Sequence, residues 1–218
     1  MSDVVMLFSG GLDSTVAMCE LRSRGHRVYP LFIRYNQRNA LEEYDAVIRV
    51  CEKLALCPVR FIDLDYCGEV ETSLLKDSAL IEEMSQKDIG RRSASTYLPA
   101  RNITFITLAA AVAESLGAEY VGVGFIKSAG PASGVDCTED FVLAMNNVLA
   151  IGMKSGKLHQ RPIRVLTPLI GMPKAEVVVL GRRLFPWMDI TRSCYNSGLP
   201  CGYCNACKQR TAAFQESQ

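Results

Sequence analysis

The string Phe8-Ser9-Gly10-Gly11-Leu12-Asp13-Ser14-Thr15 lies where an apolar run, Val4–Phe8, gives way to a segment of helical character, Asp13–Arg24. Adjacent glycines lack a Cβ and tolerate positive φ, so backbone there can approach a ligand closely. A helix opening beside them presents unpaired N–H groups and about half a positive charge. That combination favours phosphate. Ser9, Ser14 and Thr15 add hydroxyl donors, and Asp13 suits either a helix cap or the orientation of a magnesium-bound phosphate. The bland alternative is a plain glycine turn capped by Asp or Ser, which Gly-Gly alone does not exclude.

A second group sits at the far end of the chain. Cys194, Cys201, Cys204 and Cys207 follow a C-x6-C-x2-C-x2-C spacing. Four thiolates in one short segment can surround Zn²⁺ as a closed, structural tetrahedron with bonds of about 2.3 Å. An iron–sulfur cluster also takes four cysteines, and a redox C-x-x-C pair is a third reading. Lys208 and Arg210 follow the last cysteine and would offset the negative charge of a Zn(Cys)₄ centre. Cys19, Cys51, Cys57, Cys67 and Cys137 are scattered and are expected to be reduced core residues. No basic-then-apolar leader precedes them, so a reducing cytoplasm is expected rather than a disulfide framework.

These residues need a scaffold. The 218 residues are 49% apolar and 22% charged, as expected of a soluble domain rather than a disordered chain. No apolar run approaches the ~20 residues that span a bilayer, so no membrane partner is expected. A net charge of +1 argues against stable nucleic-acid binding. Strand-like runs at Val4–Phe8, Val28–Tyr35, Val59–Asp65, Glu119–Phe125 and Ile163–Leu169 alternate with helical segments. The helices are read at Asp13–Arg24, Ala40–Leu56, Thr72–Glu83, Asn102–Leu116, Thr138–Met153 and Pro173–Leu184, the last with Pro at its first position. The alternation predicts an α/β fold: a doubly wound, mainly parallel sheet with helices on both faces. Ser85–Thr96 is a polar stretch expected to be mobile. A boundary near Trp187 separates an α/β domain, residues 1–186, from a cysteine-rich segment, residues 187–218.

Ligands of such sheets bind beyond the carboxyl ends of the strands. Tyr35, Gln37 and Arg38 end the second strand; Tyr97, Arg101 and Asn102 open the most apolar helix; Asp136 follows the fourth strand; Lys174 follows the fifth. Their mundane readings are a solvated helix start for Arg38, a cap for Asn102, a turn for Asp136 and a surface position for Lys174. Thr138 has the place of an N-cap. His26 and His159 show no ligand spacing and are given no role.

The S-G-G-x-D-S string is neither G-x-x-x-x-G-K-[ST] nor G-x-G-x-x-G; it resembles the pyrophosphate-binding loop of the PP-loop ATP pyrophosphatases. That resemblance implies an adenine-nucleotide alpha-hydrolase-like, Rossmann-like fold and ATP cleaved between its α- and β-phosphates. It places ATP on Phe8, Ser9, Gly10, Gly11, Leu12, Asp13, Ser14, Thr15, Val16, Ala17 and Met18. Taken in order, Phe8–Thr15, Tyr35–Arg38, Tyr97–Asn102, Gly134–Cys137, Pro168–Glu176 and Cys194–Cys207 resemble the 7-cyano-7-deazaguanine synthase family over nearly the whole chain.

What this second resemblance implies is ATP-dependent conversion of 7-carboxy-7-deazaguanine with ammonia, through an adenylate and an amide, to the nitrile of queuosine biosynthesis. It further implies Mg²⁺ at the phosphates, one structural Zn²⁺ per chain and a homodimer. Asp13, Arg38, Arg101 and Lys174 would be catalytic. Tyr35, Gln37, Tyr97, Asn102 and Asp136 would bind the deazapurine, Asp136 at its guanine-like edge. The chain departs from the family at three places. Leu12 replaces a usual Gln, Ala100 a usual Gly, and Gly134-Val135-Asp136-Cys137-Thr138 a usual Tyr-Pro-Asp-Cys-Arg. The alternative is a divergent relative of an antiphage operon that stops at the amide or joins the acid to another amine, such as a protein N-terminus. A tRNA-thiolating enzyme and a non-catalytic zinc module are the remaining rivals.

Overall fold

The computed structural model of the chain describes residues 1–65, 70, 72–76, 80–85, 87–91, 93–127, 130 and 134–218. In chain order the elements are β1 (Asp3–Leu7), α1 (Leu12–Ser23), β2 (Arg27–Arg34), α2 (Ala40–Lys53), β3 (Arg60–Asp63), α3 (Arg101–Leu116) and β4 (Tyr120–Gly122). They continue with α4 (Glu139–Gly152), α5 (Lys154–Lys157), β5 (Arg164–Leu166), α6 (Lys174–Leu184), a 3₁₀ turn (Met188–Ile190) and α7 (Asn205–Glu216). The five strands pair in parallel in the order β3-β2-β1-β4-β5.

The side-chain period of a strand explains the two layers that cover this sheet. On β1 and just beyond it, Val4, Met6 and Phe8 enter one core with Val16, Val47 and Val177 of α1, α2 and α6. Val5 and Leu7 point the other way, to Ile106, Ala109 and Met145 of α3 and α4. A strand buried on both faces reads as a continuous apolar run, as β1 does. The chain winds outward from β1 to β3, then returns to β4 on the other side of β1. That reversal leaves a crevice at the carboxyl ends of β1 and β4.

Local signals set several element ends. Thr138 caps α4 by accepting from Phe141 N at 3.1 Å. Gly117 stops α3 in the left-handed region at φ +69°. Pro173 precedes the first residue of α6 instead of occupying it. The regular strands β4 and β5 are also shorter than their apolar runs.

Two expectations are corrected. No helix forms over the described residues of Thr72–Glu83. Thr72–Lys76 are turns carrying a bridge between Leu75 and Gln37, and Leu80–Ser85 have no regular structure; residues 77–79 lie outside the described set. Side chains anchor this segment instead: Thr72 Oγ1 donates to Ser95 O at 3.2 Å, and the Ser73 and Ser95 hydroxyls meet at 2.8 Å. Leu74 N also donates to the Thr72 hydroxyl at 3.3 Å, and such local side-chain bonds compete with a helical ladder. Leu74 and Leu75 then bury against Tyr35 and Leu98, while Ile81 packs on the cysteine tail. The second correction is Cys57, which is exposed; Cys19 and Cys51 are buried, Cys137 is intermediate, and Cys67 lies outside the described residues. So do Gln86 and Arg92 of the polar stretch.

The tail contributes to the main core. Helix α7 packs along α6, with Ala213 and Phe214 in the α1–α6 cluster. Guanidinium groups of Arg182 and Arg210 stand 5.9 and 5.1 Å from the Phe214 ring centre. Phe185, fully buried, meets Trp187 edge-on at 5.7 Å. Phe185→Ala should therefore cost about 3–5 kcal/mol, read as a fall in the midpoint of urea unfolding.

Candidate active site

A cavity of about 330 Å³ opens at the β1/β4 reversal, and the glycine-rich turn forms its floor. Gly10 has φ +69°, and a Cβ there would lie 2.7 Å from Val47 N, so this glycine seats the turn on α2. Gly11 precedes α1 without a side-chain cap. Ser14 and Thr15 hydroxyls donate back to Gly11 O at 3.1 and 2.8 Å. The N–H groups of the first turn have no intrahelical partner by construction, and Gly11, Leu12, Asp13 and Ser14 line the cavity. Gly124, two residues beyond β4, makes this possible: a Cβ would stand 2.8 Å from both N and Cα of Ser14. Val16, Ala17 and Met18 are fully buried and serve the helix's packing.

Asp13 turns one carboxylate oxygen to Lys174 Nζ at 2.5 Å. Its other oxygen, Oδ1, is buried without a hydrogen-bond partner. An orphaned carboxylate oxygen beside open amides suits a divalent cation riding on a phosphate chain. Lys174, at the start of α6, supplies a point charge to the same place.

The opposite wall comes from β2, α2 and α3. Arg101, Asn102, Tyr35, Phe105 and Glu43 line it. Arg101 follows Ala100, which is left-handed at φ +58°. Glycine at this position, as in the family that the chain resembles, would relieve strain of about 1–2 kcal/mol. Burial opposes the Arg101 charge, yet Tyr35, Tyr195 and Asp136 around it raise its pKa above the usual value. Burial pushes the Tyr35 phenol up to about 12, against the pull of Arg101. Asn102 donates at 3.3 Å to both Asp136 O and Cys137 Sγ, tying α3 to the loop before α4. Burial raises the Cys137 thiol to about 12.

Of the residues expected on ATP, Gly10, Thr15, Val16, Ala17 and Met18 are not in the cavity's described lining, and of those expected to be catalytic or to bind the deazapurine, Gln37, Arg38, Tyr97 and Asp136 are not. Gln37 is buried behind it, accepting from Tyr35 N at 2.8 Å and donating to Glu43 Oε2 at 2.9 Å. Arg38 donates to Leu75 O at 3.4 Å. Tyr97 is 46% exposed. Asp136 offers its backbone carbonyl, not its carboxylate, to Asn102. Ser128, Ala129 and residues 131–133 of the preceding loop lie outside the described set.

The structure adds residues that spacing did not single out. Glu43 resembles any acidic residue in a first helical turn, and Gly124 any glycine after a strand. Arg192 and Tyr195 stand two and one residues from Cys194, where nothing in their spacing marks them, yet both line the cavity.

The four cysteine sulfurs lie within 4.8 Å of one another, and Cys194 and Cys201 Sγ are 3.6 Å apart. A tetrahedron with bonds of about 2.3 Å has edges of about 3.8 Å, so this donor set could hold one metal ion. Backbone N–H groups of Cys201 and Cys204 point at Cys194 and Cys201 sulfur at 3.4 Å. Against the desolvation that disfavours a thiolate, such donors bring Cys201 down to about 6. The cluster also braces the cavity: Arg192 N donates to Gly10 O at 2.9 Å, and Asn39 Nδ2 to Cys194 O at 2.8 Å. Lys208 is committed to Glu83 and Met84 O, and Arg210 to Met188 O, Thr191 and Ser193.

Gly124→Ala must move the first turn of α1, a repacking that costs about 1–3 kcal/mol. We expect nucleotide affinity to fall about 10- to 100-fold in calorimetric titration with an α,β-methylene ATP analogue, and the melting temperature to fall by several degrees.

No helix among the described residues is long and apolar enough to cross a membrane. In its fold the chain is similar to a 4-thiouridine synthetase solved as an RNA complex with bound ATP (17% identity, TM-score 0.52), covering 99% of this chain but 53% of that one. It is similar as well to the U34-tRNA thiolase NcsA from Methanococcus maripaludis (18% identity, TM-score 0.50), covering 99% of this chain and 65% of that one. In sequence it is 36% identical to the 7-cyano-7-deazaguanine synthase of Cyanothece sp., covering 98% of this chain and 95% of the relative. The synthase of Saccharophagus degradans is 34% identical over 98% of this chain and 93% of its own length. Residues 3–218 match the family described as "Queuosine biosynthesis protein QueC", and with the sheet, the turn and the cysteine cluster in place the chain belongs to that family.

Proposed function

We propose that this chain is an ATP-dependent, carbon–nitrogen bond-forming 7-cyano-7-deazaguanine synthase of the queuosine pathway. The observation that carries the reading is the shared cavity. It joins an open helix N-terminus and Lys174 at one end to Arg101 and a set of aromatic walls at the other.

The turn from Ser9 to Ser14 receives the phosphates of ATP, and Lys174 neutralises charge on the departing pyrophosphate. The carboxylate of 7-carboxy-7-deazaguanine attacks the α-phosphorus, giving the acyl adenylate. Positioning and charge stabilisation supply most of the acceleration. Tyr35, Phe105 and Phe125 offer flat apolar surface for the deazapurine ring. Ammonia displaces AMP to give the amide, and a second activation at the amide oxygen leads to the nitrile. Mg²⁺, held at Asp13 with the phosphates, would supply further charge neutralisation.

Zinc suits the tail better than an iron–sulfur cluster, because a cluster spreads its thiolates over separate irons whereas these sulfurs converge on one point. Exposed Leu143, Val148 and Ile151 on α4 favour the homodimer expected from the resemblance. One observation favours the second reading, in which the product is an amide or a conjugate formed in an antiphage setting. The loop from Gly134 to Cys137 lacks the family's aromatic and proline residues, and Val135 there is exposed.

The enzyme given ATP, the deazapurine acid and ammonium should release AMP and pyrophosphate only when the acid is present. ADP and inorganic phosphate as sole products would exclude attack at the α-phosphorus. Mass spectrometry of the same mixture separates nitrile from amide.

Elemental analysis of the unmodified protein should read about one metal ion per chain, and Cys207→Ser should remove it. The melting temperature should fall with it.

A further inference from the structure

Among the described residues, the cavity walls carry two carboxylates, Asp13 and Glu43, and no histidine. Asp13 is engaged by Lys174 at the phosphate end. Glu43, in the first turn of α2, has no part in the mechanism so far. Its position is nevertheless built with care. Gln37 Nε2 donates to Oε2 at 2.9 Å and Asn39 Nδ2 to Oε1 at 3.2 Å. Both amides are fixed in turn, Gln37 by accepting from Tyr35 N and Asn39 by donating to Cys194 O. An ionised carboxylate has about four acceptor sites, so two remain for a ligand in the cavity.

We infer that Glu43 is the amine-receiving base of this cavity: it docks an ammonium ion, or a primary ammonium group, beside the acyl adenylate and takes its proton. The inference rests on the adenylation reading above. The chemistry requires such a group, because an amine attacks only as its free base and is almost wholly protonated near neutral pH. The charged and titratable groups facing Glu43 are Arg101 from α3, Arg192 and Tyr195 from the tail, and Tyr35 from the end of β2. Among the described residues, neither guanidinium closes an ion pair with it. Their positive field makes a nearby ammonium easier to deprotonate. Burial raises the Glu43 carboxyl above the ordinary range against the lowering pull of Gln37, Asn39, Arg101 and Arg192, which leaves it a stronger proton acceptor than an exposed carboxylate.

In the step itself, one N–H proton passes to Glu43 and the freed electron pair forms the C–N bond at the acyl carbon. The C–O bond to AMP breaks, AMP leaves with that electron pair, and the second proton shed by nitrogen goes to the departing phosphate. Glu43 later returns its proton to water.

The test reads the two half-reactions separately. ATP–pyrophosphate exchange with the deazapurine acid reports adenylation, and single-turnover amide formation at fixed total ammonium chloride reports aminolysis. In Glu43→Gln, aminolysis near pH 7 should fall about 10²-fold or more, and exchange by a far smaller factor. The pH profile discriminates further. A base with a raised pKa acts when ionised, so wild-type aminolysis should decline as pH falls through that pKa and be flat above it. E43Q should instead follow the free-ammonia fraction, rising steadily until ammonium itself titrates. Equal losses in both half-reactions, or an E43Q profile like the wild type's, would overturn the inference. If E43Q loses exchange through misfolding, Glu43→Asp decides: a slower but flat profile supports the assignment, and a rate proportional to free ammonia contradicts it. No exchange in the unmodified enzyme would remove the adenylate, and this role with it.

Discussion

The close approach of two pieces of backbone governs this molecule. Gly124 leaves β4 so near Ser14 that a single added Cβ would stand 2.8 Å from that residue's N and Cα. Only because that space is empty can the first turn of α1 sit at the reversal between β1 and β4, its N–H groups open to the crevice. The Asp13–Lys174 pair then lies over the same opening, bringing together residues 161 positions apart in the chain. Mutual placement of an anion-receptive helix end and a lysine is what the proposed acyl adenylation needs.

The cysteine segment is structurally part of that arrangement. Its backbone holds the glycine turn through Arg192 N and Gly10 O, and its Tyr195 and Arg192 complete a wall of the cavity. A structural metal contributes on the order of 10 kcal/mol to the folding of such segments. A metal held by these cysteines would therefore couple to the cavity's shape. The same segment reaches Glu43 indirectly, since Asn39 bridges Cys194 O and the Glu43 carboxylate.

What the sequence made legible was local chemistry. The glycines, hydroxyls and helix start of Ser9–Thr15 act over a few residues, and the turn with an open helix end that they predict is found, as is the convergence of the four cysteines that their spacing predicts. Strand–helix alternation gave the parallel sheet because βαβ crossovers leave few alternatives. Ala100 becomes intelligible through its left-handed φ of 58°, a conformation that suits the glycine expected there from the family resemblance. The remainder depends on long-range contacts. Thr72–Glu83 has the apolar spacing of a helix, but Ser95 holds Thr72 and Ser73 in turns. Glu43 looks like a helix-start acid until Tyr35, Arg101 and Tyr195 close around it. Helix α7 is polar in composition, and its place is set by Ala213 and Phe214 against α1 and α6.

The central claim is that the amides opening α1 grip the phosphates of ATP during activation of an acid. A crystal structure with an α,β-methylene ATP analogue tests it most directly. The account predicts phosphate oxygens within hydrogen-bonding distance of the Leu12, Asp13 and Ser14 amides and of Lys174 Nζ. Phosphates lodged anywhere else on the protein, with this turn left empty, would contradict it.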